Sequence, residues 1–140
     1  MKRWLPGLVL GLGVLGLAAH LLGEEKKKVD TRVFELRTYY AAPGKMQALH
    51  ARFRDHTCKL FQKHGMTIIG FWSPIDGKEA EEKLVYILAY PSKEAADKSW
   101  QAFRDDSDWK TAKEASEKNG VLVGKVESVY LNPTDYSPIK

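Results

Sequence analysis

Reactive side chains are sparse in this 140-residue chain, and the first to consider are a carboxylate and a guanidinium two positions apart, Glu35 and Arg37. On an extended strand, residues two apart share a face, so this pair would enter any site together and could orient a polar group of a ligand. The structural alternative is a set of cross-strand ion pairs with Lys125 and Glu127 that fixes strand register or a subunit seam. Tyr39 continues the same face, and Trp72, Tyr86, Tyr90 and Trp100 supply aromatic surface that suits a pocket for a small planar molecule or an ordinary core.

Four histidines occur, and three of them, His50, His56 and His64, fall within one helical pattern. None has a partner at the i+3 or i+4 spacing that places two ligands on one metal. His50 and His64 share an azimuth but lie about 21 Å apart along the axis, so no metal site is expected. His50 reads as a core residue on the apolar stripe and His64 as a helix-end residue that suits the dipole. His56, on the flank of the stripe in the segment RDHT, is the best catalytic candidate of the three, with a histidine paired to a nearby carboxylate as the alternative. Cys58 is the only cysteine, which excludes an intrachain disulfide, and it has no base at local spacing. Walker, GxSxG, CxxC, HExxH and dinucleotide fingerprints are all missing, which removes support for NTPase, hydrolase, zinc and Rossmann chemistry. No cofactor is expected.

The elements that must position these residues follow from periodicity. Arg32 to Tyr40 alternates as a first strand, with Phe34, Leu36 and Thr38 on one face and Glu35, Arg37 and Tyr39 on the other. A Pro-Gly turn leads to a long amphipathic helix through Met46, Leu49, Phe53, Thr57, Leu60 and Phe61, stopped at His64-Gly65. Thr67 to Ser73 and Leu84 to Tyr90 read as two strands of a hairpin joined by a polar loop. Ser92 is an N-cap for a second helix with Ala96, Trp100 and Phe103 on its apolar stripe. The cluster Asp105 to Asp108 interrupts that helix, and a shorter one carries Trp109 and Ala112 towards Asn119-Gly120. Val121 to Leu131 forms the last strand. The order β-α-β-β-α-(α)-β is that of an α+β, ferredoxin-like domain, a four-stranded antiparallel sheet with helices on one face. Large side chains on both strand faces require a cover for the second face, and a second copy of the sheet is the simplest one.

Ahead of this domain, Met1, Lys2 and Arg3 precede an uncharged stretch from Leu5 to Leu22, and EEKKK then ends it. This is a secretory pattern, read either as a cleaved signal peptide over residues 1–23 or as a retained signal anchor. Residues 24–31 form a charged linker and 32–140 the domain, which predicts an exported protein of the periplasm or cell envelope, with any membrane contact made through residues 5–22. The chain carries a net charge of +4, and loss of Lys2 and Arg3 leaves about +2 with no basic stripe beyond the linker lysines, so nucleic acid is not an expected partner.

The segments FELRTYYAAPGKMQALHARFRDHT, LFQKHGMTIIGFW, AFRDDSDW and SVYLNPTDYSP make nearly all of the domain resemble the NIPSNAP family, within the dimeric α/β-barrel superfamily. The resemblance implies a homodimer whose two sheets pack into a barrel, with the face bearing Glu35, Arg37 and Tyr39 turned inwards. It implies no settled reaction. The expected function is a small-ligand-binding or interaction module, with Glu35, Arg37, Tyr39, Trp72 and Tyr86 at the ligand. The alternative implied by the superfamily is a cofactor-independent monooxygenase, isomerase or haem-handling enzyme, in which His56, Arg37 and Tyr39 would position or protonate a substrate. The smooth apolar leader differs from an Arg-rich mitochondrial presequence, so the organelle roles of eukaryotic members do not carry over.

Overall fold

The computed structural model describes residues 32–140, so the expected leader and linker lie outside the described residues. Four strands, β1 (Val33–Ala41), β2 (Thr67–Trp72), β3 (Lys83–Tyr90) and β4 (Val123–Leu131), form one antiparallel sheet in the order β2-β3-β1-β4. This is the ferredoxin-like order, with β1 in the centre between β3 and β4. Helices α1 (Met46–Arg52), α2 (Cys58–Lys63), α4 (Lys93–Asp105) and α5 (Ser107–Ser116) belong to the helical layer, and a short α3 (Lys78–Glu82) precedes β3. Among the described residues no helix is long and apolar enough to cross a membrane.

Local chemistry sets most element ends. Gly44 and Gly65 take positive φ, at the turn before α1 and just past α2. At the second of these, Met66 N donates to Phe61 O over 2.9 Å and Gly65 N to Gln62 O over 3.1 Å, closing α2 with a Schellman-type pattern. The Ser92 hydroxyl accepts from Ala95 N and caps α4, and Asp106 caps α5 by accepting from Asp108 N and Trp109 N. The acidic cluster therefore interrupts the second helix because one of its aspartates starts the next.

Two elements differ from the sequence expectation. The single helix expected from Met46 to Phe61 and beyond contains a π-helical segment, Phe53–Thr57, between α1 and α2. Apolar periodicity does not register one wide turn, because the buried positions Leu49, Phe53, Leu60 and Phe61 still fall on one side. The loop expected between β2 and β3 contains α3, whose exposed Lys78–Glu82 and Lys83–Glu79 pairs give it i,i+4 support without any apolar stripe to announce it.

The core lies between the sheet and the helices. Phe53 and Phe61 pack edge-on or tilted against Tyr86, and Phe61 also meets Trp100 and Phe103, with ring centroids 5.1 to 6.0 Å apart. The alternation within β1 is as expected, but its direction corrects the expected arrangement. Glu35, Arg37 and Tyr39 face the helices, where Trp100 and Phe53 meet them, whereas Phe34, Leu36 and Thr38 occupy the face away from the helices. That second face is open and apolar over most of its length, with Trp72 51% and Val129 53% exposed, and carries the Lys125–Glu127 pair at one end. Part of it is crossed by the C-terminal tail, which borders an open pocket of about 300 Å³ with Phe34, Ile69, Ile87, Leu131, Pro133 and Ile139.

Candidate functional site

The site begins with a buried carboxylate. β1 pairing sets Glu35 opposite Leu88 of β3 and Tyr130 of β4, in the middle of the sheet, where it is 1% exposed. A bare charge there would be costly, and four donors compensate it. Tyr90 Oη and Trp100 Nε1 each donate to Oε2 over 2.7 Å, Ser128 Oγ donates to Oε1 over 2.6 Å, and Arg37 Nη1 donates to the same Oε1. Burial by itself would raise the Glu35 pKa, but the bonds from Ser128, Tyr90 and Trp100 and the charge of Arg37 outweigh it and hold the carboxyl below its ordinary value. The same bonding, after burial, pushes the Tyr90 hydroxyl well above the usual tyrosine range.

Arg37 is fixed from several sides. Its guanidinium lies 4.3 Å from the centroid of the Trp100 ring and 5.6 Å from that of Tyr39. Trp100 thus serves both partners, giving its N–H to the carboxylate and its ring to the cation. Burial disfavours the charged guanidinium, yet neighbouring Tyr86, Tyr39 and Glu35 raise its pKa above the ordinary value. Its Nε is buried without a hydrogen-bond partner, so Glu35 does not exhaust its donors.

Outward from this pair opens a cleft of about 670 Å³ between the β1–β4 side of the sheet and helices α4 and α5. Glu35, Arg37, Tyr39, Ser128 and Tyr130 line its sheet wall. The helices contribute Trp100, Phe103 and Trp109 with Gln101 and four charged groups, Lys93, Asp97, Arg104 and Lys113. Lys93 pairs with Asp97 and also stands 4.4 Å from the Tyr130 ring centroid.

The cleft gathers four of the candidate residues, Glu35, Arg37, Tyr39 and Trp100, with Tyr90 bonded to Glu35, and leaves the others elsewhere. Tyr86 is fully buried behind Tyr39, with its ring 5.3 Å away, and does not line the cleft. Trp72 lies on the opposite sheet face, folded over Gly70. His56 is exposed in a separate groove between α2 and α5 with Asp55, Lys59, Asp108 and Ala112, so it shares no cavity with Arg37. The reason is rotational: the flank of the first helical segment that carries His56 faces α5, away from the sheet. His50 is half-buried rather than enclosed, beside Met46 and Ala80, and His64 Nε2 lies 2.7 Å from Asp106 Oδ2 at the end of α2. Lys125 and Glu127 pair with one another and with Tyr40 on the far face, so the alternative of cross-strand pairing with Glu35 and Arg37 does not occur. Among the described residues no group of three or more His, Cys, Asp or Glu could hold a metal ion.

Ser128, Tyr130, Trp109, Arg104 and Lys113 were not singled out from the sequence. The alternation in SVYL groups Ser128 with Tyr130, but only the β1–β4 register sets them beside Glu35 and Arg37.

No curated protein matches the chain. Among solved structures, a NIPSNAP family protein from Agrobacterium tumefaciens is similar at 22% identity and a TM-score of 0.68, over 78% of this chain and 99% of that one. An uncharacterized NIPSNAP domain protein from Burkholderia xenovorans is similar at 20% identity and a TM-score of 0.63, over 76% and 98%. A putative antibiotic biosynthesis monooxygenase from Chloroflexus aurantiacus shares the fold at 16% identity and a TM-score of 0.50, over 79% and 100%. At these identities the likeness concerns the fold and carries no activity. The NIPSNAP family model matches residues 34–138, from the second residue of β1 into the C-terminal tail, and the chain belongs to the NIPSNAP family.

Proposed function

We propose that this NIPSNAP domain binds a small molecule in the cleft between β1, β4, α4 and α5. The observation that carries the reading is Arg37: its guanidinium is held by a buried carboxylate and an indole ring at the wall of an open cleft. A cation anchored in this way is pre-oriented for a ligand and loses little freedom on binding. Its volume, about 670 Å³, suits a compact organic molecule.

A catalytic version has less support. No histidine lines the cleft, and its two carboxylates are committed, Glu35 to four donors and Asp97 to Lys93. General base catalysis needs an available acceptor near the reacting proton. With His56 in another groove, the trio of His56, Arg37 and Tyr39 cannot act on one substrate.

Fragment titration followed by NMR of the indole N–H groups tests the site. Four tryptophans give four reporters. The expected result is movement of the Trp100 and Trp109 signals with Trp72 unaffected. Movement of Trp72 alone, or of none across a broad fragment set, would overturn the reading.

The open sheet face supports a second proposal, that two copies associate through it. Trp72, Val129 and Leu131 leave an apolar surface on the side opposite the helices, which a like surface would cover. Export by the N-terminal segment is proposed on its basic start and uncharged Leu5 to Leu22 run. Mass measurement of the protein recovered from the cell envelope tests it and separates cleavage from retention.

A further inference from the structure

The charges around the cleft do not cancel, and their surplus points to the chemistry of its occupant. Arg37 is offset by Glu35, and Lys93 by Asp97. Arg104 and Lys113 remain. Arg104 Nη2 donates to the neutral Gln101 Oε1 over 3.1 Å, and neither cation has an ion-pair partner among the described residues. Both stand on the helix wall facing the sheet wall that holds Arg37. A ligand entering here meets these two uncompensated cations on the helix wall and Arg37 on the sheet wall. The apolar lining is aromatic, from Tyr39, Trp100, Phe103, Trp109 and Tyr130.

Resting on the cleft reading above, we infer that the occupant is a small organic anion, a carboxylate carried on a planar ring system. Arg37 takes the carboxylate, Arg104 and Lys113 set the sign of the charge admitted, and the aromatic walls hold the ring. A planar fork of donors favours carboxylate over a diffuse anion, and charge-assisted bonds are the strong ones. A cationic ligand meets like charge with no free carboxylate to receive it, because Glu35 already accepts four bonds. A neutral ligand gains the apolar contacts alone.

Calorimetric titration of the full chain with three matched probes, 2-naphthoate, 2-naphthylmethanol and 2-naphthylmethylammonium, tests this. The acid should bind at least about 10-fold more tightly than the alcohol, as one charge-assisted bond is worth about 1.5–3 kcal/mol, and the ammonium should bind least. The double variant Arg104→Gln, Lys113→Gln changes two exposed side chains and should cut the acid's advantage about 3-fold while leaving the alcohol unchanged. Arg37→Gln should remove the advantage, with circular dichroism as the control for folding. Gln101→Trp, at an exposed position on the cleft wall, should weaken every probe. Equal binding of acid and alcohol, both weakened by Gln101→Trp, would overturn the anion inference and leave the cleft reading standing. An acid preference that survives all the cation changes would also overturn it. Absence of binding, or binding indifferent to Gln101→Trp, would remove the cleft reading and the inference with it.

Discussion

Trp100 Nε1 donates to Glu35 Oε2 over 2.7 Å while the same indole ring lies under the Arg37 guanidinium at 4.3 Å, so one side chain on α4 ties the centre of the sheet to the helix layer through both members of an ion pair. Removing the carboxylate charge should therefore unsettle all of its donors together. Glu35→Gln leaves Arg37 largely buried without its counter-charge, and breaking such a pair costs about 3–5 kcal/mol. Urea unfolding should show a lower midpoint with an unchanged slope.

The same residue makes stability depend on pH. The folded carboxyl is held below its ordinary value of 4.5, so between the two values the unfolded chain binds more protons than the folded one. Its contribution is present above about pH 4.5 and is lost as the pH falls through the folded value. Thermal melts from pH 6 downwards should fall less steeply in Glu35→Gln than in the wild type.

Asp106 joins two jobs, capping α5 with Oδ1 and receiving Lys63 Nζ and His64 Nε2 at Oδ2, both at 2.7 Å. Its hydrogen bonds to Lys63 and His64 hold its pKa well below the ordinary aspartate value. Asp106→Asn should keep the cap and lose the charge, whereas Asp106→Ala loses both. The expected order of melting temperatures is wild type, then Asn, then Ala; equal melting of Asn and Ala would show that the cap contributes nothing.

The Tyr86 hydroxyl is buried without a hydrogen-bond partner. Burial, reinforced by Tyr39, pushes its pKa well above the usual range. Deleting an unsatisfied polar group leaves the packing intact, so Tyr86→Phe should be neutral or stabilising by up to about 1 kcal/mol. A loss of more than that on denaturant unfolding would mean that the hydroxyl is bonded in solution.

If two copies meet through the open sheet face, Val129→Glu on β4 should turn a dimer into a monomer, because a buried unpaired carboxylate is costly. Light scattering at micromolar concentration reads this directly. A wild-type monomer at the same concentration would defeat the proposal.

Strand alternation in RVFELRTYY, the Gly65 stop, the Ser92 cap and the acidic break near Asp106 were all legible as sequence, because each is a local property of backbone conformation and hydrogen bonding within a few residues. They suffice for the order of the four strands and most of the helices, and the motif segments suffice for the family. Periodicity also grouped Glu35, Arg37 and Tyr39 on one face, since alternation has only two outcomes. Which way that face turns is not local. It depends on the partners that satisfy Glu35, and these are Tyr90, Trp100 and Ser128, at sequence separations of 55, 65 and 93 residues. Likewise, His56 and Arg37 carry chemistry of the right kind but lie on surfaces that a helix rotation directs into different cavities. The sequence by itself determined the four strands, most of the helices and the family of this protein; tertiary structure decided that its buried ion pair looks into the helix layer, because only strand register and helix docking bring three distant donors to one carboxylate.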